Sequence, residues 1–321
     1  MALVITTNLE SKVVQRNLDA ATNLLNLSIE RMSTGYKINR ANDNAAGFSI
    51  VDNWTTKIGS LDIAADNASM GKDLLTTMEE NYSLLTGHLQ RIRDLTEQAA
   101  NGTYGSTSLK AIKAEIQSRL EEITRVSKNA EFNDIKLMSQ GAPSTNGIKL
   151  QVGIDGTADS KISLVGALFS DATVNGLFKS DSALMAIVNS AYGSTPADLN
   201  TSEGYEALAA AFSGLKKDGT KYVPQTETGK KPSDTLASID DVITAISERV
   251  TKIGASQNAV DSAISAIDVR SSNLTSSLST LRDTDVAEES SRYIQAQILQ
   301  QASATLLSTA NQAPSIALNL V

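Results

Sequence analysis

One stretch, Leu236 to Leu281, constrains what this chain can fold into more than any other. Its key positions recur alternately three and four apart: Leu236, Ile239, Ile243, Ile246, Val250, Ile253, Gln257, Val260, Ile264, Ile267, Ser271, Leu274, Leu278 and Leu281. Twelve of the fourteen are aliphatic and the register never slips. A seven-residue repeat held this long lays one apolar seam along a helix and demands a partner seam. At about 1.5 Å per residue the helix is a rod of roughly 70 Å, far longer than the three or four turns of an average helix.

The first half of the chain supplies the partner. A seam spaced in the same way runs Leu61, Ala64, Ala68, Gly71, Leu75, Met78, Tyr82, Leu85, Leu89, Ile92, Thr96, Ala99, and Asn101-Gly102 and Gly105 break it. A third helix follows, with Ser106 to Ser108 as its cap and Leu109, Ile112, Ile116, Leu120 and Ile123 on its apolar face. Two antiparallel helices from the first half should therefore pack against one from the second. The chain ends carry shorter helical stripes. One holds Val14, Leu18, Ala21, Leu25, Ser28 and Met32 and stops at Gly35; the other holds Ile294, Ile298, Ala302, Leu306, Ala310 and Ala313. Asp285 with Glu288 makes a capping-box-like start for the second.

From Phe132 the period changes to two. The runs at 135–138, 148–154 and 161–164 read as a small antiparallel sheet, with Asp155-Gly156 as a tight turn. Residues 166–232 stand apart in composition. They hold three of the five Phe and three of the seven Tyr, and four of the five prolines lie between 141 and 232. Helices near Asp181–Tyr192 and Ser202–Leu215 and a loop or hairpin through Lys217–Lys231 are expected, forming a compact insertion with its own small core. On that reading, excising 166–232 should leave assembly intact. The fold class is mainly α with a small β part: a long antiparallel helical bundle or coiled coil built by the N- and C-terminal halves, a β-hairpin region and a variable central insertion.

Composition removes several functions. The net charge of −8 argues against a nucleic-acid partner, and there is no cysteine for a disulfide or a thiolate metal site. The amino terminus lacks a basic n-region and a signal-peptide pattern, and no run reaches the roughly 20 apolar residues of a membrane span. His88 is the sole histidine and reads as a flank residue of the second seam. Phosphate-loop, dinucleotide and zinc-protease motifs are absent, so no catalytic, cofactor or metal site is expected. The paired acids, such as Glu79-Glu80, read as solvated helix faces.

The stretches RMSTGYKINRANDNAAGFSI (31–50), QRIRDLTEQAANGT (90–103), EFNDIKLM (131–138) and QAQILQQASATLLSTANQAPSIALNLV (295–321) closely resemble bacterial flagellin. With the matching bundle, the resemblance covers roughly 1–165 and 233–321. It implies a filament subunit exported unfolded by the flagellum's own type III apparatus, with itself as main partner and burial of apolar seams as the driving force. Further implied partners are the cap and hook-junction proteins, an export chaperone at the C-terminal helix and the flagellin-sensing Toll-like receptor. No cofactor is implied.

The resemblance also implies layers. Residues 1–44 with 285–321 form an inner terminal-helix domain, 45–165 with 233–284 the bundle and hairpin, and 166–232 the outer region. Gly35, Asn39, Arg40, Asn42, Asp43 and Gly47 fall in the connection between layers, where they could bond neighbouring chains or tie two helices of one chain. Arg40 and Asn44 stand where relatives more often have a small residue and Asp. Arg91, Leu95 and Glu115 fall on the surface used for axial subunit contact and receptor recognition. Leu95 lies off the Ile92–Thr96–Ala99 seam and is expected to face another molecule. Ile294, Ile298 and Leu306 mark the polymerisation helix. A hook–filament junction protein and a filament subunit displaying an activity in its insertion are the alternatives.

Overall fold

The computed structural model describes residues 8–145, 147–224 and 231–319, with side chains described as far as Gln312. Its elements run α1 (Leu9–Thr34), α2 (Ala45–Ala100), α3 (Ser106–Asn129), β1 (Glu131–Phe132), β2 (Ile135–Lys136), β3 (Ile148–Gln151), β4 (Lys161–Leu164), α4 (Val174–Phe178), α5 (Ser182–Tyr192), α6 (Ser202–Phe212), β5 (Leu215–Asp218), β6 (Lys221–Pro224), α7 (Pro232–Arg282) and α8 (Val286–Asn319). Among the described residues no helix is long and apolar enough to cross a membrane.

Packing divides the chain into two units: residues up to Ser60 with those from Val269 onward, and Leu61–Asp268. These packing boundaries lie within α2 and α7.

In the larger unit α2, α3 and α7 form the expected bundle. All twelve positions of the Leu61–Ala99 seam are buried, and none of the fourteen seam positions of α7 is exposed. Cross-links fix the direction. Lys72 donates to Asp261 at 2.7 Å, Gln257 to Glu79 at 2.9 Å and Arg93 to Asp240 at 2.6 Å, so α7 runs antiparallel to α2. The five apolar positions expected on α3 are buried as well. Its cap differs from the expectation. Gly105, not a serine, is the N-cap and it offers no side-chain bond.

The β segment is more divided than expected. Instead of one sheet there are separate antiparallel hairpins, β1–β2 and β3–β4, with a third, β5–β6, in the insertion. Asn133 and Asp134 both take positive φ and close β1–β2 as a tight turn of the type that favours such residues. That turn sends Leu137 and Met138 inward, where both are fully buried, so 135–138 cannot extend the second ladder. Asp155-Gly156 is not a tight turn but part of a longer connection through a 3₁₀ turn at Ala158–Ser160. Leu150 of β3 lies over Gly71 of α2; a Cβ there would stand 2.3 Å from the leucine methyl, which explains a glycine in an otherwise apolar seam.

The insertion does not have a core of its own. Leu168, Phe169, Phe178, Leu184, Leu208, Phe212 and Leu215 join one continuous buried cluster with α2, α3 and α7. Polar ties accompany the packing. Tyr82 donates its hydroxyl to the Leu168 carbonyl at 2.9 Å, Ser127 donates to the Ala172 carbonyl at 2.8 Å, and Lys113 pairs with Glu206 at 3.2 Å. The physical reason is α3, a helix with more than one apolar flank. The bundle covers one side of it, and α4, α6 and β5–β6 cover another.

Candidate functional site

Among the described residues no group of metal-ligating side chains converges. The features that invite function are surfaces, beginning with the smaller unit. There α1 and α8 lie antiparallel. Asn8 donates to the Ala310 carbonyl at 2.7 Å, Ser11 to Asn311 at 2.8 Å, and Gln300 to Thr22 at 3.2 Å. Nearest the connection, Arg31 and Arg292 reach the buried Glu289 at 3.8 and 3.6 Å. These ties climb both helices in step, so they pin the register of the pair.

The face that α8 turns to α1 is not the Ile294–Ile298–Leu306 stripe. Glu289, Ala296 and Ser303 are buried and Tyr293, Gln300, Leu307 and Ala310 half-buried, a run spaced by fours and threes. Ala21 and Ser28 are the buried residues of α1. Small side chains let two helices approach closely, as they do in membrane helix pairs. The bulky residues point away: Ile294, Ile298 and Leu306 are 54%, 60% and 57% exposed, and Leu9, Leu24 and Ile29 of α1 are exposed too. The seam fully buries only small or polar residues, with Val14, Leu18, Leu25 and Leu307 half-buried beside them, while a second set of bulky apolar residues faces outward.

The connection between α1 and α2 is held largely by its own chain. Gly35 takes φ 75° and caps α1, a backbone shape glycine adopts without strain. Lys37 N–H donates to the Arg282 carbonyl at 2.7 Å, Thr284 N–H to the Gly35 carbonyl at 2.9 Å, and the Arg282 guanidinium lies over the Tyr36 ring at 3.9 Å. Asp43 accepts from the backbone N–H groups of Arg40 at 2.9 Å and Asn39 at 3.0 Å. Those two bonds hold its carboxyl below the usual aspartate range. A depressed acid favours the folded turn above its ordinary value, and that contribution is lost as pH falls through the depressed one. Arg40 pairs with Glu30 at 2.9 Å, and Asn44 caps α2 by accepting from Gly47 N–H at 2.9 Å. Gly47 is buried, and a Cβ there would stand 2.8 Å from the Ile38 methyl, so the site takes a glycine. Asn42 is exposed.

In the larger unit Arg91 and Glu115 meet across α2 and α3 at 2.9 Å, with side chains 41% and 37% exposed. Beside them Glu115, Ser118, Arg119, Glu122 and His88 line an open cleft of about 550 Å³. Arg119 approaches His88 Nδ1 at 3.4 Å. Burial, and then the Arg119 charge, push the imidazole below the ordinary histidine value. Leu95 departs from the expectation. It is 2% exposed and belongs to the core of its own protomer.

Two family models match the chain. The bacterial flagellin N-terminal helical region covers residues 5–142 and the bacterial flagellin C-terminal helical region covers 236–321. Similar proteins include polar flagellin F of Vibrio parahaemolyticus, 27% identical over 376 aligned residues, and flagellin B of Vibrio anguillarum and of Vibrio cholerae, each 30% identical over 379. All three alignments span both chains from end to end. The chain belongs to the bacterial flagellins. A solved FliC structure from Burkholderia pseudomallei covers 66% of this chain and 98% of its own at a TM-score of 0.29 and 18% identity, too loose a likeness to carry any residue-level inference.

As a flagellin the chain is a structural subunit that self-assembles into the flagellar filament, an extracellular homopolymer. The periodicity that picks out Ile294, Ile298 and Leu306 does not say which face of α8 meets α1. The signal that separates the two faces is the parallel run Ala296–Ser303–Ala310, small where Ala21 and Ser28 of α1 are small. The buried environment of Leu95 was missed because α2 is covered along two flanks, and the second also buries Leu74.

Proposed function

We propose that polymerisation runs through the outer apolar faces of α1 and α8, with the subunit arranged in layers. Residues 1–44 and 285–321 would form the innermost layer, 45–165 and 233–284 the next, and 166–232 the surface towards solvent. The observation that carries this reading is the exposure of Leu9, Leu24, Ile29, Ile294, Ile298 and Leu306 on two helices whose mutual seam fully buries only small or polar residues. A monomer gains little from that seam, while ordering the backbone costs about 1–2 kcal/mol per residue. Neighbouring copies supply the missing burial, at about 25 cal/mol per Å² of apolar surface. The terminal pair should therefore exchange its amide hydrogens quickly in monomers and slowly in filaments. Salting purified protein into filaments, checking them by electron microscopy and comparing exchange before and after gives the test. Strong protection of 286–312 in the monomer would count against it.

The same apolar face of α8 suits an export chaperone before assembly and the cap and hook-junction proteins at the filament ends. Export through the type III apparatus belongs to this reading. Arg91 and Glu115 form the axial and Toll-like-receptor contact, without Leu95 as a contact residue. Leu95 then acts through stability alone, and the two residues should separate in experiment. Leu95→Ala should cost about 2–5 kcal/mol, as large-to-small changes in cores do. Arg91→Ala should change monomer stability by no more than about 1 kcal/mol while weakening axial contact and receptor activation. Denaturant titrations of both variants beside a receptor assay test this, and a stable Leu95→Ala would contradict it.

A further inference from the structure

From the structure we infer a site of spontaneous covalent modification: Asn101 deamidates in the folded subunit, while the two other Asn-Gly pairs of the chain are protected. The three pairs are Asn101-Gly102, Asn146-Gly147 and Asn175-Gly176. As dipeptides they are equally reactive, since glycine leaves the following amide nitrogen unhindered. The nitrogen of the glycine, having lost its proton, attacks the asparagine Cγ. Ammonia leaves and a five-membered imide remains. Water then opens either carbonyl of the imide, giving aspartate or isoaspartate. The balance needs water alone.

The fold treats the three nitrogens differently. Gly147 N–H donates to the Pro143 carbonyl at 2.9 Å, and a Cβ on Gly147 would stand 1.9 Å from the Leu164 carbonyl oxygen, so its backbone is clamped. Gly176 sits inside α4, its N–H directed to the Thr173 hydroxyl at 3.4 Å, with the Asp171 carbonyl oxygen 2.5 Å from where a Cβ would be. Each of these glycine nitrogens would have to break a hydrogen bond and leave a crowded seat before it could attack.

Gly102 is the opposite case. It lies in the turn between α2 and α3, its N–H has no acceptor among the described residues, and nothing stands within 4 Å of its Cβ position. Asn101 is exposed, and its Oδ1 accepts from Thr103 N–H at 3.3 Å, which draws electrons from the carbon under attack. The new carboxylate would adjoin the C-terminal end of α2, the end of a helix that disfavours negative charge. An isoaspartate would add a methylene to the turn itself. The modification marks the age of a subunit at the α2–α3 corner.

The test incubates the full-length native protein at mildly alkaline pH and maps its peptides by mass spectrometry, with isoaspartyl methyltransferase labelling of the products. Conversion at Asn101 should outrun the other two by about tenfold or more, the factor that breaking one hydrogen bond implies. In urea the three rates should converge, which assigns the difference to the fold. Gly102→Ala, for which the turn has room, should slow conversion of the native protein. Equal rates at the three sites in the native protein, or an Asn101 that converts no faster than Asn146 and Asn175, would overturn the inference.

Discussion

Leu306→Asp should abolish filament formation while leaving the thermal transition of the monomer nearly unchanged. In a single subunit Leu306 is 57% exposed on the outer face of α8. A carboxylate there stays in water and breaks no seam; the neighbouring Leu307 and Ala310 keep the half-buried positions towards α1. In the polymer the same carboxylate must enter an apolar contact, and burying an unpaired charge costs far more than one subunit contact supplies. Ile298→Asp, about two turns earlier on the same outer face, should act in the same way. Ser303→Asp provides the contrast, because Ser303 is buried against α1 and its substitution should lower the monomer's transition as well. Sedimentation and electron microscopy after salting read assembly, and circular dichroism reads the monomer. Filaments from Leu306→Asp would mean that the outer face of α8 is not an assembly surface.

Much of the bundle was legible because a heptad repeat repeats its statement many times. A single misread residue cannot shift a seam carried by twelve or fourteen positions, and neither the α2 nor the α7 seam contains an exposed residue. The terminal pair was legible only in part. Periodicity finds an apolar stripe but does not say whether that stripe meets its own chain or another. In α8 the intramolecular face is written in Ala296, Gln300 and Ser303, residues that a hydrophobic pattern passes over. The insertion was misjudged for a related reason. The surface it covers on α3 includes Lys113, Thr124 and Ser127, all buried, and each polar atom finds a partner that no sequence pattern reveals. Lys113 meets Glu206, Thr124 lies 3.4 Å from Asn200, and Ser127 meets the Ala172 carbonyl. Buried polar residues with long-range partners are the part of a fold that local reasoning does not reach.

Excising residues 166–232 and joining Val165 to Ser233 should therefore destabilise the larger unit severely, instead of leaving a subunit fit for assembly. The deletion removes Leu168, Phe169, Phe178, Leu208 and Phe212, each fully buried in the shared core. Each such side chain contributes about 1.5–3 kcal/mol when withdrawn from water, and the sum rivals the 5–15 kcal/mol that typically holds a domain. The part of this core borne by the helices that remain would face water. Deletion also strands polar groups. The Tyr82 hydroxyl would lose the Leu168 carbonyl, Ser127 the Ala172 carbonyl, and Lys113 its carboxylate. A buried donor without a partner costs about 1–3 kcal/mol. Calorimetry of the deleted protein should show loss or a large downward shift of the transition assigned to the larger unit, and dye binding should report exposed apolar surface. A milder variant separates packing from chain length. Phe178→Ala with Phe212→Ala removes an edge-to-face ring pair 5.7 Å apart and keeps the chain whole, and single Phe→Ala changes in cores cost about 3–5 kcal/mol. Both proteins should be impaired in the same unit. A deletion protein that melts like the parent and polymerises normally would show that the bundle stands without its cover.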